Sequence, residues 1–179
     1  MFNFGLQAMV FNEAQAAIAT GAFLKAEQLA GRHFRKSQEA MSAHRYDVKT
    51  RAFLDQHEVN GKAFAHLCKY AYGKKGVEDR GIHFYRVCLQ DDRILDAVRR
   101  ADPFIRLSPL MLYIAAHELV HVIRFESGEA DFDASREEKE REEEKVHEIT
   151  RQMLLQAESP DMALVIDCFR SRYDIGDIV

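Results

Sequence analysis

The chain is poor in the residues that break, bend or staple a fold. In 179 residues there are 9 glycines, 3 prolines, 3 cysteines and no tryptophan. So little Gly and Pro argues against a turn-rich all-β fold and against disorder. Cys68, Cys88 and Cys168 form no CxxC pair, and any disulfide scheme leaves one over. Buried thiols in a reducing cytoplasm are the expectation. Long apolar runs are also missing. The longest, Leu110 to Ala116, is far short of the roughly 20 residues that span a bilayer, so no membrane partner is expected. No basic residue precedes the apolar start, which does not read as a secretory signal. Positive charge is not in excess either. The net charge of −4 makes nucleic acid an unfavoured partner, and no basic stripe with interleaved aromatics offsets it.

The residues that are present favour helix, with Ala, Leu, Gln, Lys and Glu dominating the first half. Residues 6–20 predict a helix with Leu6, Met9, Val10, Ala14, Ala17 and Ile18 on its apolar side. A break is expected at Thr20-Gly21, with a second helix from Phe23 to about His44. The fragment from Gly21 to Ala26 resembles the inter-helix turn of a tetratricopeptide repeat. With one copy, an ordinary helical hairpin fits the same residues. Residues 48–72 continue as helix-forming sequence, interrupted near Asn60-Gly61.

The one convincing strand is 83–89, where Phe84, Arg86 and Cys88 alternate with Tyr85, Val87 and Leu89. A short helix through Ile94, Leu95 and Val98 follows. Ser108-Pro109 reads as an N-cap and first helical residue of a helix running to about Phe125 or Glu126, with Gly128 as its stop. Ser135 to Glu138 reads as a capping box opening a helix of about 20 residues. A last helix follows Ser159-Pro160, with Met162, Val165, Ile166 and Phe169 inward. Short connections make these three helices antiparallel neighbours. The expected fold class is α+β, mainly helical: a single domain over 1–179, with a helical part at 1–75 and a second part at 82–179. It combines N-terminal helical hairpins, a small sheet and a helix pair.

His117-Glu118-Leu119-Val120-His121 carries the chemistry. Histidines at i and i+4 share one helical face and can reach one metal ion, while the intervening Glu can deprotonate a water held there. Placing 8 histidines at random among 179 residues gives roughly 0.03 matches to this pattern. The flanking Leu110 to Ala116 and Val122-Ile123 are apolar nearly all round, as in a buried helix. Two His and a Glu in such a helix need partners.

Ala116 to His121, with Glu143-Glu144-Lys145-Val146-His147 and Met153-Leu154, resembles gluzincin zinc metallopeptidases, and more closely the ImmA/IrrE-like metallopeptidase family. The resemblance covers residues 109–157. It implies one zinc, a compact α+β domain with a zincin-like helix pair, and site-specific cleavage of repressor proteins. This chain departs from the family where small residues are usual, at Val146 and Thr150, and at His147, where the family has Asn.

The third donor comes from the next helix. Ten charged residues, Arg136 to Lys145, open it, and such a run is ordinarily a solvated face. Val146, Ile149, Met153 and Ala157 set its inward phase. Glu143 then lies about 60° from Val146, Glu144 about 160° and Glu140 about 120°. Glu143 is also level with the histidine pair, each lying about 10 Å from the turn between the helices. Glu143 is therefore the expected third ligand, with Glu144 the alternative. His147, about 100° from Val146 and one turn from Glu143, suits a partner that orients a ligand, an oxyanion donor, or a fourth ligand that closes the site. Two ExxH pairs, Glu118/His121 and Glu144/His147, also invite a di-iron reading. That architecture needs a further Glu on an intervening helix, for which there is no room. His33, His44, His57, His66 and His83 lack metal-ligand spacing. Tyr113 could face the site, although core packing is the plainer role; Arg124 and Glu126 read as solvated.

The expected function is zinc-dependent hydrolysis of a protein or peptide substrate: His117, His121 and Glu143 hold the metal, and Glu118 and His147 act on the reacting groups. Strand 83–89 would bind an extended substrate by edge addition. The alternative is a non-catalytic metal-binding regulator whose N-terminal part binds a partner.

Overall fold

The computed structural model describes residues 9–72, 82–157 and 159–170. Helix α1, Glu13–His33, opens with a reciprocal cap. The Asn12 side chain accepts from the Gln15 amide, and the Gln15 side chain accepts from the Asn12 amide, both at 2.9 Å. The expected break at Thr20-Gly21 does not occur. A helical glycine costs about 1 kcal/mol, whereas burying Phe23 and Leu29 on the same face contributes about 2 kcal/mol each. The expected helix from Phe23 to His44 ends instead at His33, and only the single turn α2, Gln38–Ser42, follows. The N-terminal hairpins are thus replaced by one long helix and a short one.

The stretch 48–72 is a second correction. It holds two 3₁₀ turns, Arg51–Phe53 and Gln56–Glu58, and the eight-residue strand β2, Ala65–Tyr72. With β1, Tyr46–Lys49, and β3, Ile82–Leu89, it makes a sheet of order β1-β3-β2. β1 runs parallel to β3, pairing Tyr46 with Tyr85. β2 runs antiparallel, pairing Ala65 with Leu89. The strand expected at 83–89 is therefore present but central, and cannot accept a substrate by edge addition. β2 is an outer strand. Tyr85, Val87 and Leu89 face the core. On the other face Arg86 meets the fully buried Glu58 at 3.0 Å and Asp47 at 2.7 Å.

Helix α3, Asp91–Arg100, leads to α4, Leu107–Glu126. α4 begins a residue or two before the Ser108-Pro109 signal, with Arg106 at the cap. Pro109 still falls in the first turn, where its missing N–H has no helical partner to lose. Leu110, Met111, Ala115, Ala116, Leu119, Val120 and Val122 are wholly buried, so α4 is the core of the molecule. It packs against α1, α5 (Arg136–Leu155), α6 (Pro160–Arg170) and β2. Its stop is the one expected, Gly128 at φ 75°. Ser135 and Glu138 form the expected capping box of α5. Among the described residues no helix is long and apolar enough to cross a membrane.

Candidate metal centre

α4 presents His117 and His121 one turn apart, their rings 4.8 Å between centroids and nearly perpendicular. α5 lies across them and delivers Glu143. His117 Nε2 is 3.3 Å from one Glu143 oxygen and His121 Nε2 is 3.0 Å from the other. The structure thus sets Glu143 against both histidines, as expected from helical phase and depth, while the three side chains whose ligand atoms all lie within 4.8 Å of one another are His117, Glu143 and His147. Glu144 and Glu140 are exposed and stand outside this group.

Ring packing sets the orientation of the histidines. His121 stacks on Phe125 at 5.6 Å, and His117 lies near-parallel to Tyr113 at 6.3 Å. The far nitrogens, Nδ1 of both rings, are buried and have no hydrogen-bond partner among the described residues. Ring packing on one side and the Nε2 contacts with Glu143 on the other therefore hold the two rings.

His147, one turn beyond Glu143, shares a 2.8 Å hydrogen bond between its Nδ1 and the Tyr113 hydroxyl. Burial holds the Tyr113 phenol protonated, so its O–H is able to donate to Nδ1. A His147 that accepts at Nδ1 carries its proton on Nε2 and is itself a donor. Its ring sits 4.5 Å from that of His117. Tyr113 therefore serves both core and site: it also stacks on Phe169 of α6 at 3.8 Å, with the planes 3° apart.

Burial and charge tune these groups in opposite directions. Burial pulls His117 down to about 4, keeping it neutral as a metal ligand must be. Burial also opposes charge on His121, but the Glu143 carboxylate outweighs it and raises that histidine. For Glu143, half exposed, partial desolvation is overcome by hydrogen bonds from both imidazoles, which hold its carboxyl far below the usual range. Glu118, only 7% exposed, is pushed by burial up to about 7.

Arg124 departs from the solvated role expected of it, being 3% exposed. It binds Glu142 through two nitrogens at 2.5 and 2.9 Å and Glu129 at 2.6 Å. Glu126, also expected to be solvated, accepts from the Arg45 amide at 2.8 Å and pairs with His44. The sequence does hold a signal for Arg124: it follows His121 by three residues, and Glu142 adjoins Glu143. The cluster opens on a cleft of about 1780 Å³ bordered by Leu67 of β2, Phe132 and Glu118.

The donor set, two imidazole nitrogens and one carboxylate, is the set that catalytic zinc takes. The converging Nε2 atoms and the neutral His117 fit that ion. Comparison with protein-family models, curated proteins and solved structures finds no match for this chain.

Proposed function

We propose that the chain is a zinc-dependent metallopeptidase-like hydrolase, resembling the ImmA/IrrE-like family at residues 109–157, acting on a protein or peptide. The observation that carries this reading is the convergence of His117 and His121 Nε2 on the two oxygens of Glu143, beside Glu118, at the wall of an open cleft. His117, His121 and Glu143 would hold the ion. When bound, zinc supplies a Lewis acid that polarises a carbonyl and makes water acidic near neutrality.

Glu118 takes the proton of the attacking water onto its carboxylate and returns it to the leaving amine. Burial raises the Glu118 carboxyl in the ion-free chain, and a bound cation would draw it back toward the carboxylate that takes the proton. His147, donating from Nε2, stabilises the oxygen on which negative charge develops. An extended peptide would lie along the outer strand β2, whose Ala65, His66 and Leu67 border the cleft. Three free thiols suit a reducing cytoplasm.

The second reading, a non-catalytic metal-binding regulator, rests on His147. Its ligand atom lies within 4.8 Å of those of His117 and Glu143. As a fourth donor it would close the coordination sphere.

Glu118→Gln separates the two. In a hydrolase this variant retains zinc and loses turnover by at least ~100-fold. His121→Ala loses the zinc held between α4 and α5. Equal cleavage of a peptide library by wild type and Glu118→Gln, at equal zinc content, would overturn the hydrolase reading.

A further inference from the structure

The face of the sheet turned away from α4 carries a second set of ligating side chains. His66 and Cys68 are two apart on β2 and so share a face. The strand register sets Cys88 of β3 opposite His66. Cys68 Sγ lies 3.7 Å from His66 Nε2 and 3.8 Å from Cys88 Sγ. All three donor atoms fall within 4.8 Å of one another.

These separations have a chemical meaning. A tetrahedral ion bound at ~2.3 Å to sulfur and ~2.05 Å to nitrogen sets an S–S edge of ~3.8 Å and an S–N edge of ~3.6 Å. The two measured edges match. A disulfide would need sulfurs at ~2.05 Å and would leave His66 without a role. We propose that His66, Cys68 and Cys88 form a second metal site, separate from the α4–α5 cluster, that takes a thiolate-preferring divalent ion of the zinc class.

The surroundings favour a cation. Arg86, on the same face as Cys88, is already engaged by both Asp47 and Glu58, and that ion group of one guanidinium and two carboxylates carries a net negative charge. Burial lowers His66, keeping it neutral and able to ligate. Burial also raises both thiols, which are protonated in the ion-free chain. Binding therefore forms two metal–sulfur bonds and releases two thiol protons to solvent. Such an ion would tie β2 to β3 near the start of β2.

Co²⁺ tests this on the reduced full chain, because thiolate ligation gives a near-ultraviolet charge-transfer band that a His/Glu site lacks. We expect that band at one equivalent, its bleaching by added Zn²⁺, and its persistence in His121→Ala and Cys168→Ser. It should be lost in Cys68→Ser, a half-buried position. His66→Ala, which keeps both thiols, should keep the band and bind Co²⁺ at least ~10-fold more weakly. Absence of the band from the reduced chain overturns the proposal. So does a band that survives Cys68→Ser or disappears with Cys168→Ser.

Discussion

Arg124→Gln is the sharpest perturbation the fold offers, because one side chain locks two helices and lies next to the candidate centre. The guanidinium is 3% exposed and its main partner, Glu142, is 14% exposed. Removing one member of a buried pair costs about 3–5 kcal/mol. Glu142 keeps some access to water, which places the loss near the lower figure. The arm to Glu129 adds little, since that carboxylate is 53% exposed. We expect a loss of about 3 kcal/mol, roughly 150-fold in the folding equilibrium. In a chain this long, that lowers the melting temperature by about 6–12 °C. The same clamp sets the register that brings Glu143 to the histidines, so zinc affinity should fall about 10-fold, as when a residue orienting a ligand is removed. Urea unfolding and chelator competition measure the two effects. A double-mutant cycle with Glu142→Gln should return a coupling of at least about 1.5 kcal/mol, and one with Glu129→Gln less than about 0.5 kcal/mol. A stability loss below about 1 kcal/mol, or intact zinc affinity in a clearly destabilised variant, would refute the argument that this pair sets the register.

Three further outcomes are expected. His147→Ala should retain zinc and lose turnover by about 10–100-fold; loss of zinc measured by elemental analysis would make His147 a ligand instead. Glu58 is wholly buried; desolvation would raise its carboxyl, but hydrogen bonds from Tyr70, the Asp55 amide and Arg86 hold it at about 2. Its contribution is then complete above the ordinary carboxylate range, near 4.5, and is lost as pH falls toward 2. Acid unfolding of Glu58→Gln should lack that part of the slope. Gly128→Ala meets nothing within 4 Å but is held at φ +75°, so calorimetry should show a loss of about 1–2 kcal/mol from the backbone alone.

The second half of the chain is far more legible than the first. α5 and the stop of α4 announce themselves through Ser135, Glu138 and Gly128, residues whose local chemistry fixes an end whatever surrounds them. The triad of His117, His121 and Glu143 is legible for a related reason: helical phase and rise are constant enough to carry geometry across one short turn. β2 is hidden. Its Ala, Leu and Lys are good helix formers, and only pairing with β3 makes them a strand, a tertiary effect that local composition does not report. Gly21 misleads for the opposite reason. Its local penalty is real but small beside the burial of Ala19, Ala22 and Phe23 on α4. The neighbouring cysteines of β2 and β3 are likewise invisible as a pair, because strand register, not sequence spacing, puts them side by side.

The centre draws its donors from two very unequal helices. α4 is buried along most of its length, and a change of shape at His117 or His121 is felt by the core packed around it. α5 meets solvent along most of its first half, and Glu143 keeps 52% of its side chain exposed. Mutational freedom at the centre is therefore lopsided. Position 143 can exchange one donor for another, carboxylate for imidazole or thiolate, with little consequence for folding, while positions 117 and 121 cannot. Engineering the proposed metal site toward another ion would find its accessible route along the surface helix, with the buried pair as the fixed anchor.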